Sequence, residues 1–114
     1  MDQAAIHAQI MKNLSKNEEE MREIAVKVIN AIIENLLAAS SRGYRDSWAH
    51  LYEWLSPVRK LSLYNGKDIS SWMKIFEEVS KPYSLFYFSF QPVHDSKLSD
   101  SSGHDLKITI RVKE

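Results

Sequence analysis

The run from Ser15 to Ser40 constrains the fold more than any other segment. Met21, Ile24, Ala25, Val28, Ile32 and Leu36 recur at three- and four-residue intervals, the spacing of one face of an α-helix. Val26, Ile29, Ile33 and Leu37 make a second stripe beside the first, leaving only Glu23, Lys27, Asn30 and Glu34 as a polar wedge. A surface helix carries an apolar arc of about 100°, and this one carries roughly twice that. Such a helix is either the centre of its domain or a surface that meets a second copy, with Val26, Ile29, Ile33 and Leu37 as the self-association stripe. Ser15-Lys16-Asn17-Glu18 has the pattern of a capping box, and Glu18, Glu19 and Glu20 suit the positive end of a helix dipole. Gly43 supplies the stop, with Arg42 in the last turn.

The flanking segments read as smaller elements. Ile6, Ile10 and Leu14 share a stripe and predict a separate short helix over residues 3–14, a candidate lid for the second stripe of the long helix. Asp46 is the expected cap of a helix from Ser47 to Leu55, with Trp48, Leu51, Tyr52 and Leu55 on one face and His50 and Trp54 on the other. Pro57 limits that helix, Arg59–Tyr64 fits a short strand or a helical turn, and Asn65-Gly66 is a turn signal. Asp68 opens a helix from Ile69 to Ser80, its broad apolar face made by Ile69, Trp72, Met73, Ile75, Phe76 and Val79. Tyr83–Gln91 is an aromatic strand with Phe86, Phe88 and Phe90 on one side and Leu85 and Tyr87 on the other. In Leu106–Lys113, apolar residues alternate with Lys107, Thr109, Arg111 and Lys113, which predicts one buried and one solvated face. The polar stretch Pro92–Asp105 between these strands reads as a mobile, partner-contacting loop.

The fold class that follows is α+β. Three to four helices fill the N-terminal two thirds and pack on a small antiparallel sheet of two or three strands at the C-terminus. A length of 114 residues suits one domain spanning 1–114. The expected core contains Val28, Ile32, Trp48, Leu55, Trp72, Phe76, Phe88 and Ile108.

Composition narrows the chemistry. There is no cysteine, so disulfides and cysteine zinc sites are excluded, and a reducing compartment fits. Fifteen basic and fifteen acidic residues balance, whereas a nucleic-acid binder usually shows a basic excess. Charges and amides interrupt every apolar run, so no membrane span is expected. Met1-Asp2-Gln3-Ala4 starts no targeting segment, and the cytoplasm is the expected location.

Three clusters are candidate sites. His94-Asp95 and His104-Asp105 bracket the polar loop and, in a paired hairpin, would offer two imidazoles and two carboxylates to a divalent ion; the regular helical spacing of a metal motif is missing, so no metal ligand is assigned. His50 and Trp54 form an exposed pair suited to a partner surface, since tryptophan is enriched at binding hot spots. Arg42, Arg45, Arg59 and Lys60 interleave with Tyr44 and Trp48, a pattern that can grip single-stranded nucleic acid, diluted by Asp46 and Glu53. Carboxylate pairs fall on wet helix faces, and no nucleophile accompanies His50, so no enzyme and no cofactor are expected. The function expected from this profile is a small protein-binding module of inhibitor, immunity, antitoxin or phage-accessory type. Its partner-contacting residues are His50, Trp54, His94, Asp95 and His104, and a homodimer is a further expectation. A nucleic-acid-binding regulator is the alternative, and a small metal-dependent enzyme the third reading.

Overall fold

The computed structural model describes residues 2–95 and 103–114. Its element order is α1 (Gln3–Ser40), β1 (Asp46–His50), a 3-10 turn (Leu51–Trp54), α2 (Pro57–Tyr64), α3 (Ile69–Ser80), β2 (Phe86–Asp95) and β3 (Gly103–Val112). The α+β class and the helical N-terminal part are as expected.

The two anticipated helices are one helix of 38 residues, α1. Its N-cap is Asp2, whose carboxylate accepts from the amides of Ala4 and Ala5 at 3.1 and 3.3 Å. Ser15 therefore lies mid-helix and caps nothing. A capping box acts only where the preceding backbone leaves the helical region. Here the preceding residues, rich in Ala, Gln, Met and Lys, are good helix formers that extend an existing helix without a new nucleation step. At the other end Gly43 takes a positive φ of 89°, as the stop signal required.

Asp46 opens a strand, not a helix, and Trp48 stands on the outside of the sheet at 53% exposure instead of in the core. Only Leu51 and Leu55 of the anticipated helical face are buried; Leu51 opens the 3-10 turn and Leu55 caps its end. Pro57 does not end a helix; it sits in the first turn of α2, where its missing N–H is harmless and its φ is already helical. The Arg59–Tyr64 segment is thus helical. The span Ile69–Ser80 agrees with expectation, and Asp68 holds the N-cap position without a side-chain capping bond.

The sheet has the order β1-β3-β2, antiparallel throughout. β3 is central, with Ala49 opposite Ile108 on one side and Phe90 opposite Ile108 on the other. Its inward residues Leu106, Ile108 and Ile110 are fully buried, which matches the alternation. Phe86, Phe88 and Phe90 of β2 are partly buried against the core, while Leu85 and Tyr87 on the other side are exposed. β2 and β3 extend past the expected boundaries, so Pro92–Asp95 and Gly103–Asp105 are paired strand. The expectation of a mobile loop then concerns residues 96–102, which lie outside the described residues.

α1 covers the inner sheet face and packs on α3 and β1. Val28, Ile29, Ile32, Trp72, Phe76 and Ile108 form the dry centre. Of the eight expected core residues, Trp48 is misplaced and Phe88 is only partly buried. The second stripe of α1 is divided. Ile29 is fully buried, Ile33 half-buried, and Val26 and Leu37 exposed, so the four do not form one surface seam. No helix is long and apolar enough to cross a membrane among the described residues.

Candidate functional site

Three surfaces carry the residues singled out from the sequence. The first is a cleft of about 240 Å³ lined by His50, Tyr52, Glu53, Tyr64, Val93, Gly103, His104 and Asp105. Asp105 organises it. One carboxylate oxygen accepts from the amides of Tyr52 at 3.0 Å and Leu106 at 2.7 Å, tying the 3-10 turn to β3. The other lies 3.3 Å from His50 Nδ1, out of hydrogen-bond alignment. Two glycines let the walls close. A Cβ on Gly103 would lie 2.0 Å from the Tyr64 ring, and one on Gly66, at φ +77°, would lie 2.9 Å from the His104 ring.

The two loop-flanking dipeptides approach each other as anticipated. His94 and His104 are register partners with ring centroids 4.8 Å apart, edge to face. The Asp105 side chain does not join them, because neighbouring residues on a strand leave opposite faces. It turns to His50 instead. Asp95 pairs with Gly103 through the backbone register. Among the described residues no group of three or more His, Asp or Glu side chains is placed to hold a metal ion. His50 and Trp54 are not helix neighbours: His50 ends β1 and Trp54 ends the 3-10 turn. His50 meets Trp48 edge-on at 5.2 Å.

The second surface is the N-terminal part of α1. Every residue from Asp2 to Glu20 is exposed. Eighteen helical residues, Gln3–Glu20, extend beyond the body, about 27 Å at 1.5 Å per residue. The whole molecule measures 62 × 39 × 18 Å accordingly. Arg59 of α2 marks the point where this arm leaves the body, donating to Asn17 at 2.9 Å and Glu20 at 3.1 Å. Arg22 links Glu18 on the arm to Glu78 on α3. Hydrogen bonds from the guanidinium to Glu18 and then Glu78 push the Arg22 pKa up. Along the arm, Ile6, Ile10 and Leu14 continue the line of Met21, Ala25 and Val28 beyond the end of the core. Ile10 is 50% and Leu14 57% exposed, so this helix is not the lid of the second stripe. Ile33 and Leu37 instead help line an apolar cleft of about 260 Å³ with Tyr44, Phe86 and Val112.

The third surface is the outer sheet face, which holds Trp48, Tyr87, Lys107, Thr109 and Arg111 in register. The anticipated basic–aromatic cluster is split. Arg59 is bound to the arm, Lys60 lies over Tyr52 at 5.2 Å, and Arg45 pairs with Glu114. Arg42 stays with Tyr44, 5.9 Å from its ring, beside Trp48.

No protein-family model, no curated protein and no solved structure matches this chain. The arm was legible only in part: its stripe was visible, its separation from the body was not. The solvated side of β3 was legible in the alternation of Lys107, Thr109 and Arg111, whereas the place of Trp48 beside it was not. Helical spacing around Trp48 hides its alignment with Lys107 and Tyr87, which strand pairing alone creates.

Proposed function

We propose that this chain is a protein-binding module and that the projecting arm of α1 is its recognition element. One observation carries the reading: eighteen helical residues leave the body with an apolar stripe of Ile6, Ile10 and Leu14 open to solvent. Aligned apolar residues on an exposed helix are a surface for another protein. A helix that lays i, i+4, i+8 anchors into a groove is a recurring mode of recognition. The helix is already formed, since the body nucleates it, so binding orders little additional backbone. The activity follows from occupancy of a partner's surface, as in inhibitors and immunity proteins, and involves no catalysis. A cysteine-free chain suits such work in the cytoplasm.

The test is affinity capture from the native host with the wild-type chain and with an Ile10→Glu, Leu14→Glu double variant. Both positions are exposed, so the variant keeps its fold. A partner retained by the wild type and lost from the variant supports the reading. Equal recovery of the same partner by both proteins removes the arm as the recognition element.

A further inference from the structure

The outer face of the sheet exposes aromatic rings and cations that the proposed arm does not use. Trp48 on β1 and Tyr87 on β2 are 53% and 60% exposed. They stand on either side of β3, on strands about 10 Å apart at the usual inter-strand spacing. Trp48 is opposite Thr109, and Tyr87 is opposite Arg111, so all four share this face. Each ring has an ammonium over one of its faces, leaving the other face for a base: Lys107 Nζ is 4.7 Å from the centre of Trp48, and Lys113 Nζ is 5.0 Å from that of Tyr87.

We infer that this face binds single-stranded nucleic acid, with bases stacked on Trp48 and Tyr87 and phosphates held by Lys107, Arg111 and Lys113. Charge complementarity selects the ligand. The chain is neutral as a whole, but cations gather on this face around the two rings. Among the described residues, Asp46, opposite Arg111, and Asp105 are the strand carboxylates on this face. Asp105, farther along β3, is occupied by the Tyr52 and Leu106 amides beside His50. A protein partner would have to set carboxylates between side chains that pack on the two rings. An unpaired strand supplies phosphates and flat bases in alternation, which matches rings paired with ammonium groups. Duplex buries its bases in stacked pairs and offers nothing to the two rings.

The test measures fluorescence anisotropy of a labelled oligothymidine of about 15 nucleotides, long enough for one single-strand site. Its competitors are a duplex of equal length and polyglutamate. The expected result is binding at low salt that weakens steeply as salt rises, with neither competitor displacing the strand at matched charge. Trp48→Ala and Tyr87→Ala should each weaken binding about tenfold, the scale of one lost base stack. Lys107→Gln with Arg111→Gln should weaken it further and flatten the salt dependence. Circular dichroism and thermal melting accompany each variant, and the cation pair stands as the second, independent readout if one ring variant alters the fold. Absence of binding at low salt would overturn the proposal. So would equal displacement by polyglutamate or duplex, or wild-type affinity in both ring variants.

Discussion

Phe76 and Trp48 differ in burial far more than in character. Phe76 is fully enclosed between Trp72, 6.2 Å away by ring centroid, and Phe90 at 5.5 Å. Truncation there removes a ring from the packed centre and leaves a cavity. Phe76→Ala should therefore cost about 3–5 kcal/mol in chemical denaturation. Trp48 has the larger side chain, yet half of it already meets water and its neighbours are the ring of His50 and the Lys107 ammonium. Trp48→Ala should change stability by less than about 1 kcal/mol. Comparable losses for the two would mean that the outer sheet face is covered by something. This contrast was not visible in the residue types, since both are large aromatics at positions compatible with an apolar helix face.

At the scale of elements, the continuity of α1 is the decisive feature. Ser15 precedes Glu18 in the pattern of a capping box, yet the helix passes through both. The chain holds no Gly before Gly43 and no Pro before Pro57, so nothing from Gln3 to Ser40 interrupts a helix already under way. A true N-cap loses about 0.5–2 kcal/mol when changed to Ala. Ser15→Ala should instead leave stability unchanged or raise helix content slightly, because Ala is the better interior residue by a few tenths of a kcal/mol. Asp2→Ala should fray the first turn of the arm, seen as lost helical ellipticity without a change in the main unfolding transition. A stability loss above about 1 kcal/mol in Ser15→Ala would restore the break between two helices. The helical reading of Ser47–Leu55 failed for a related reason. The spacing of Trp48, Leu51, Tyr52 and Leu55 satisfies a helix, but Ser47, Trp48 and Ala49 also satisfy a strand. β3 has two edges to pair, and β1 fills one of them.

At the scale of the whole molecule, the body and the arm differ in what holds them. The body closes around the inner sheet face, where α1 from Met21 onward meets α3 and the strands. Every residue of the arm is exposed, and it is held at its root by Arg59 and Arg22. Ion pairs at this exposure contribute little individually. Removal of residues 2–14 should therefore leave the melting temperature within a few degrees of the full chain, and arm amides should exchange with solvent far faster than those of Val28 or Ile32. A large drop in melting temperature on this truncation would show that the arm folds back on the body. The self-association stripe is bounded in the same way. With Ile29 inside the core, an Ile33→Glu, Leu37→Glu double variant should act through the apolar cleft beside Tyr44 and Phe86, with sedimentation reporting any change of oligomeric state.

The sequence by itself determined the elements whose patterns repeat over many residues: the core stripe of α1, the span of α3 and the alternation in β3. Periodic burial leaves a trace at every turn or every second residue, so these readings rest on several independent positions. The histidines at the two ends of the β2–β3 connection were also brought together as their symmetric placement implied. Only the tertiary structure decided that residues 46–50 are a strand, that the helix runs unbroken from Gln3, and that Asp105 ties down the Tyr52 and Leu106 amides beside His50 instead of joining the histidine pair. A five-residue segment carries too few positions to separate a period of 2 from one of 3.6. A helix end, likewise, is set by whether neighbouring backbone continues it, and not by the capping residue alone. The open sheet face belongs to the same class, because Trp48, Tyr87 and Lys107 are far apart along the chain. Strand pairing alone makes them neighbours.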